Sequence, residues 1–118
     1  MSKTFGDYVR QRREALREGD PSFSLRQLAG RIGVEPSYLS KVERGEEAPP
    51  SEARIVSLAD ELGEDADVLL ALAGKVSSEL QDVIRRRPKL MAELLRELKR
   101  LPDHAVLRVV REVRDGNW

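Results

Sequence analysis

Apolar residues along the chain recur at the three- and four-residue spacing of amphipathic helices, and no stretch shows the alternation of period two that marks a strand. The spacing predicts five helices, at about residues 5–17, 25–32, 36–44, 52–62 and 66–73. Three further apolar stripes follow Gly74, and Pro88 and Pro102 lie where the last two of these helices would begin. The sequence therefore predicts an all-α protein.

Residues that favour helix ends lie between the predicted helices. Thr4 with Asp7, and Ser24 with Gln27, resemble capping boxes, in which a hydroxyl at the N-cap accepts a hydrogen bond from the third helical N–H. Ser51 is a further N-cap candidate, before the fourth helix. We therefore expect these hydroxyls to begin the first, second and fourth helices.

The segment from Gly33 to Arg44 combines a tight turn with a short helix. Gly33 suits the left-handed conformation that ends many helices, and Pro36 suits the first turn of the next one. In the helix that follows, Leu39 and Val42 would face inward and leave a polar, cationic outer face. The sequence thus predicts two helices joined by a tight turn.

Composition gives catalytic chemistry little support. The chain of 118 residues contains no cysteine and a single histidine, which excludes disulfides, thiolate metal sites and histidine clusters. We therefore expect no enzyme activity, no cofactor and no metal. No apolar run approaches the length of a membrane span, so the expected protein is soluble and cytoplasmic, with no membrane partner.

Charge is distributed unevenly although the net charge is zero. Residues 1–45 carry nine basic and six acidic side chains, residues 46–76 carry two and eight, and residues 77–118 carry ten and seven. A protein that binds nucleic acid through bulk charge is normally basic overall. Any affinity for DNA must therefore come from a local patch.

The ordered segment SLRQLAGRIGVEPSYLSKVERG, followed by the fourth-helix sequence SEARIVSLADELG, carries a family likeness. The chain resembles the lambda-repressor-like, or Xre/Cro-type, helix-turn-helix domain over about residues 5–73. The resemblance implies a five-helix DNA-binding domain in residues 1–74, in which the second helix of the pair enters the major groove of double-stranded DNA.

The resemblance also implies which side chains contact DNA. Lys41 can donate to guanine acceptors, or can remain a solvated or phosphate-bound charge. Tyr38 can contact DNA or pack in part against the core, and Arg44 can hold a phosphate or pair with a nearby acid. The expected DNA-binding residues are Ser24, Gln27, Pro36, Ser37, Tyr38, Lys41 and Arg44.

Two acidic residues of the same segment are expected to have other roles. Glu35 precedes Pro36 at the N-cap, where it is a poor capping residue and would bring negative charge toward DNA. Glu43 is interpreted as a structural residue that accepts hydrogen bonds near the core, and not as an acid catalyst.

Residues 75–118 form a predicted helical tail whose apolar stripes need a partner, because so short a segment cannot bury them by itself. A second copy of the chain is the expected partner, and folding back on the N-terminal domain is the alternative. The expected dimerisation residues are Leu80, Val83, Ile84, Leu90, Leu94, Leu95, Leu98, Val106, Val109, Val110 and Val113.

The resemblance implies a transcriptional repressor that binds a pseudo-palindromic operator as a homodimer. Some repressors of this form are inactivated when a partner metallopeptidase cuts the helical tail. The alternative is an antitoxin-type protein, whose tail binds a protein toxin while the N-terminal domain regulates its own gene. A neighbouring gene for a toxin or for a metallopeptidase would separate these hypotheses.

Overall fold

The computed structural model describes residues 3–118, and this range contains eight α-helices and no strand. The helices are α1 (Lys3–Arg17), α2 (Leu25–Ile32), α3 (Pro36–Glu43), α4 (Glu52–Leu62), α5 (Ala66–Leu72), α6 (Ser78–Arg86), α7 (Pro88–Leu98) and α8 (Asp103–Asp115). A 3₁₀ helix at Pro21–Phe23 follows α1. The prediction of an all-α fold is confirmed.

The chain divides into two compact units, an N-terminal unit that ends at Ser77 and a C-terminal unit from Ser78 to Trp118. Helices α1 to α5 belong to the N-terminal unit, and α6 to α8 belong to the C-terminal unit. Within residues 3–118, no helix combines the length and the apolar character that crossing a membrane requires.

The core of the N-terminal unit is built from the apolar faces of all five of its helices. In α4 the apolar residues Ile55, Leu58, Ala59 and Leu62 are all buried. Leu39 and Val42 place the inner face of α3 in the same core. The buried apolar residues are Phe5, Val9, Leu28, Ala29, Ile32, Leu39, Val42, Ile55, Leu58, Ala59, Leu62, Leu69 and Leu70. The inner face of α3 is therefore anchored by apolar burial.

Most of the predicted helix ends in the N-terminal unit are confirmed. The Ser24 hydroxyl accepts a hydrogen bond from the Gln27 N–H at 3.2 Å, and the Ser51 hydroxyl accepts one from the Arg54 N–H at 3.4 Å. Gly33 ends α2 with φ of 78°, in the left-handed region that costs glycine no Cβ clash.

Two capping predictions are wrong. Helix α1 begins at Lys3, so Thr4 lies inside the helix and cannot be its N-cap with Asp7 as partner. The second half of the Ser24 capping box is also missing, because the Ser24 N–H donates to the Pro21 carbonyl at 3.1 Å instead of to the Gln27 side chain. The 3₁₀ helix before α2 supplies that acceptor.

Glycine at position 6 allows α1 to approach the C-terminal end of α3 closely. A Cβ at Gly6 would lie 2.6 Å from the Glu43 carbonyl oxygen and closer still to the Val42 carbonyl oxygen. Both neighbours are backbone atoms, so a larger side chain would force the two helices apart. Gly6 therefore determines how near α3 lies to α1.

A buried ion pair joins the same two helices. The Arg13 Nε donates to the Glu43 Oε2 at 2.7 Å, and its Nη2 donates to Oε1 at 2.9 Å, while Nη1 donates to the Phe23 carbonyl at 3.3 Å. The hydrogen bonds that Arg13 donates to Glu43 raise the pKa of Arg13, against the opposing effect of desolvation. Glu43 thus has the structural role that the sequence predicted.

In contrast, α6, α7 and α8 contain no fully buried side chain. The predicted dimerisation residues are half-buried or exposed, and Leu90 and Val113 are each 62% exposed. In the last turn of α6, Arg85 and Arg86 are at the helix end that favours cations. The helices of the C-terminal unit therefore leave most of their apolar faces uncovered by one another.

We expect Arg13→Ala to lower the free energy of unfolding by about 3–5 kcal/mol, because it leaves the Glu43 carboxylate buried without a counter-charge. Urea denaturation measures this loss, and the matched control is Arg10→Ala. Arg10 pairs with Glu14 on the surface at 3.5 Å, so its replacement should cost less than about 1 kcal/mol. The double variant Arg13→Met with Glu43→Leu should recover most of the loss. Equal costs for Arg13→Ala and Arg10→Ala would contradict this account.

Candidate nucleic-acid interface

Helix α3 has one face fixed to the core and one face open to solvent. Leu39 and Val42 are buried, whereas Ser37 and Lys41 are exposed. The two faces of a helix separate in this way when apolar residues recur every three or four positions. The predicted inner and outer faces of α3 are both confirmed.

The N-terminal end of α3 depends on the backbone conformation of Pro36 and not on a side-chain cap. Pro36 occupies the first turn, where its fixed φ suits a helix, and the Glu35 side chain makes no capping hydrogen bond. Ser37 lies exposed beside it, while Tyr38 is half-buried and packs against the core. Tyr38 therefore has a packing role, and DNA contact by its exposed part stays a prediction.

Lys41 and Arg44 are both exposed cations near the C-terminal end of α3, but their surroundings differ. In the part of the chain that the structure describes, no hydrogen bond or ion pair holds the Lys41 ammonium. The Arg44 guanidinium pairs with Glu46 instead, through Nε to Oε2 at 2.9 Å and Nη2 to Oε1 at 3.1 Å. Of the two roles predicted for Arg44, the structure shows the ion pair with a nearby acid.

The turn after α3 explains how Glu46 comes to face Arg44. Gly45 has φ of 75°, its N–H donates to the Val42 carbonyl at 3.0 Å, and the Glu46 N–H donates to the Lys41 carbonyl at 2.8 Å. These two bonds form a Schellman motif, which ends a helix and reverses the chain. The backbone of Glu46 is therefore fixed against the last turn of α3.

The start of α2 forms a second part of the candidate interface. Ser24 caps the helix, Gln27 is exposed in the first turn, and the N–H groups of a first turn point away from the helix. Arg26 is exposed between them and lies in no hydrogen bond or ion pair within residues 3–118. Sequence reasoning missed Arg26, although a cation two residues after a capping serine was visible in the sequence.

Sequence reasoning also missed the residues that position α3. Arg13 lies on the helix before the pair, and its partner Glu43 is 30 residues further along the chain. Gly6 lies in the first turn of the helix predicted at residues 5–17, where glycine carries no evident meaning in the sequence. The one available indication was the interpretation of Glu43 as a structural acceptor.

Negative charge is also present around the candidate interface. Glu35 before α3, and Glu46 and Glu47 after it, are all exposed. Within the described residues, no cluster of three or more His, Asp or Glu side chains is placed to hold a metal ion. The surface around α3 is therefore of mixed charge, and Lys41 is a cation that forms no ion pair within the described residues.

Comparison with known proteins gives a family. The helix-turn-helix domain family matches residues 4–72. Two curated proteins of Mycobacterium tuberculosis, one from strain CDC 1551 / Oshkosh and one from strain ATCC 25618 / H37Rv, are each 36% identical to this chain over 83 residues. Each is described as an uncharacterized HTH-type transcriptional regulator.

Each of these matches covers 67% of this chain and 55% of the relative, so the chain spans about half the length of the curated relatives it matches. No solved structure matches the chain. The family match covers more than half of the chain and includes both helices beside Gly33 and the core beneath them. The chain therefore belongs to the helix-turn-helix domain family.

Proposed function

We propose that the protein is a sequence-specific transcriptional repressor of the Xre/Cro type, which binds double-stranded DNA through α3. The proposal rests on the two faces of α3 within a helix-turn-helix domain. The inner face of α3 is buried in the core, and the outer face presents Ser37 and Lys41 to solvent. The description of two relatives as transcriptional regulators supports a regulatory role.

In this proposal α3 lies in the major groove, which is wide enough for a helix. The Lys41 ammonium donates to the O6 and N7 acceptors of guanine, and the Ser37 hydroxyl donates to or accepts from a neighbouring base edge. Tyr38 contributes the exposed part of its ring. Pro36 sets the backbone of the first turn, from which these side chains project.

Contacts with phosphate supply register and orientation. The first turn of α2 holds one phosphate through its outward N–H groups, with Ser24 and Gln27 beside it and Arg26 as an added cation. Arg44 holds a second phosphate at the other end of α3. The two anchors fix α3 along the groove.

The contacts that hold α3 within the N-terminal unit favour this mode of binding. Arg13 and Gly6 hold the C-terminal end of α3, and Gly33 with Pro36 fixes its start. A recognition helix that is already ordered loses less conformational entropy when it binds. The long-range contacts of the core therefore support affinity without contacting DNA.

The C-terminal unit supplies the dimer in this proposal. Its helices leave apolar residues such as Leu90, Leu95 and Val113 more than half exposed. Isologous pairing of two copies would bury the same apolar stripe on both of them. It would also place one α3 helix at each half of a pseudo-palindromic operator. Dimerisation would then remove these exposed apolar faces from water.

The uncovered faces of α6 to α8 also fit a second candidate function. In an antitoxin-type protein they would bind a protein toxin, while the N-terminal unit regulates the gene pair. The repressor proposal includes a variant in which a partner metallopeptidase cuts the C-terminal unit and releases the operator. If the purified chain forms a homodimer, the repressor is favoured. If it stays monomeric and forms a complex only with a toxin protein, the antitoxin is favoured.

Footprinting of the purified chain on the DNA upstream of its own gene tests the proposed function. We expect protection of an inverted repeat, with half-sites about one helical turn apart, because a two-fold dimer presents two α3 helices to the same side of the duplex. Protection that follows no repeat, or no protection at any concentration, would contradict the proposal.

We expect Lys41→Ala to weaken binding to the protected site by about 1–3 kcal/mol and to relax the preference at one base pair. Arg44→Ala should instead weaken binding to all sequences alike and lower the salt dependence by about one ion, because it acts on phosphate. Titration of both variants against matched and mismatched duplexes, at two salt concentrations, measures the difference. Unchanged discrimination by Lys41→Ala would show that Lys41 does not read a base.

We expect Leu94→Lys to shift the chain from dimer to monomer, because it places a charge on the proposed dimer face. Operator affinity should then fall by about 10²–10⁴, since the second half-site contact is no longer intramolecular. Ala92→Lys is the matched control, because it puts the same side chain on an exposed position of α7 away from the stripe. Light scattering and operator titration measure both effects. A monomeric wild-type chain would contradict the dimer.

A further inference from the structure

Three of the five N–H donors of the Arg44 guanidinium are committed within the protein. Nε and Nη2 donate to the two carboxylate oxygens of Glu46, and Nη1 donates to the Ser40 hydroxyl. A carboxylate and a phosphate offer the same planar pair of acceptors to a guanidinium, so both ligands compete for the same donors. A DNA phosphate that binds the edge of Arg44 formed by Nε and Nη2 would therefore have to displace Glu46.

The position of Glu46 favours this internal pair. The Glu46 N–H is bonded to the Lys41 carbonyl, and Gly45 fixes the reversal of the chain with its positive φ. Because the backbone is already in place, only side-chain freedom is lost when the carboxylate meets Arg44. The pair thus forms without any loop having to close.

Glu46 also lies in the field of the second cation. The hydrogen bond from Arg44 is the largest cause of the lowered pKa of Glu46, and the charge of Lys41 lowers that pKa further. In return, the hydrogen bond to Glu46 raises the pKa of Arg44. Arg44 is therefore the main partner of Glu46, and Lys41 is the weaker influence on it.

We propose that Glu46 competes in cis with the DNA phosphate backbone for Arg44, and so holds the affinity for DNA of any sequence below the level that the cations alone would give. The inference rests on the proposed function, because it needs Arg44 to contact phosphate. Release of Arg44 from Glu46 is a step of every binding event, specific or non-specific. Glu46 thus limits non-specific binding without reading a base.

The neighbouring Glu47 provides a matched control. Glu47 is exposed, follows Glu46 directly, and lies in no hydrogen bond or ion pair within residues 3–118. Glu47→Gln and Glu46→Gln remove the same charge from adjacent positions, but only Glu46→Gln releases Arg44. A difference between the two variants therefore isolates the competition from the general repulsion between acids and DNA.

The experiment titrates the chain of 118 residues with a mixed-sequence duplex of about 20 base pairs and with the footprinted site, at low salt, where phosphate contacts are strong. We expect Glu46→Gln to tighten binding to both duplexes by about 3- to 10-fold, and Glu47→Gln by less than about 2-fold, because an exposed ion pair is of modest strength. The ratio between specific and mixed-sequence affinity should stay unchanged.

The same two substitutions in an Arg44→Ala background complete the test. There Glu46→Gln should gain no more affinity than Glu47→Gln, because no guanidinium remains to be released. An advantage of Glu46→Gln that persists without Arg44 would overturn the inference, as would equal gains from both variants in the wild-type background. Weaker binding by Glu46→Gln would also overturn it, and would show that Glu46 orients Arg44 for DNA.

The outcomes also separate this inference from the proposed function. A wild-type chain that binds duplex DNA, with no difference between Glu46→Gln and Glu47→Gln, overturns the competition alone. A chain that binds no duplex, whether wild-type or Glu46→Gln, overturns the proposed function and this inference with it.

Discussion

The buried ion pair between Arg13 and Glu43 is the interaction on which the N-terminal unit depends. Two opposite charges are costly to remove from water, and the cost is offset only when geometry and further hydrogen bonds are good. Here both carboxylate oxygens of Glu43 are engaged, and the remaining arm of Arg13 meets the Phe23 carbonyl. The pair therefore joins α1, α3 and the 3₁₀ helix. Because its hydrogen bonds are directional, it favours one orientation of these helices, whereas apolar packing alone is non-directional.

The consequence is a short helix held firmly in a single orientation. At eight residues, α3 is far below the length at which an isolated helix is stable in water, so its order comes from its surroundings. The tight turn at Gly33 fixes its start, and Arg13 with Gly6 fixes its end. Its outer face then carries few cations, which is compatible with a chain of zero net charge.

The C-terminal unit, in contrast, has no buried core. Its three helices present strongly amphipathic faces, yet none of their side chains is fully buried. A segment of this size gains too little from burial within itself to be stable by that means alone. In the proposed function a second copy of the chain supplies the missing surface, so the two units contribute separately to recognition and to pairing.

The amino-acid sequence by itself determined the helices and most of their ends, because periodicity, capping and positive φ depend on neighbours within a few residues. Gly33, Pro36 and Ser51 all take the places predicted for them. Thr4 was assigned wrongly because the same local pattern allowed an earlier start for α1.

Only the tertiary structure decided which side chains meet across the fold. Arg13 and Glu43 are 30 residues apart in sequence, and the meaning of Gly6 depends on backbone atoms of another helix. The pairing of Arg44 with Glu46 is local, but it needs the Schellman turn that brings the carboxylate back to α3. Hydrogen bonds and close contacts depend on tenths of an ångström, and local sequence patterns do not specify distances between helices.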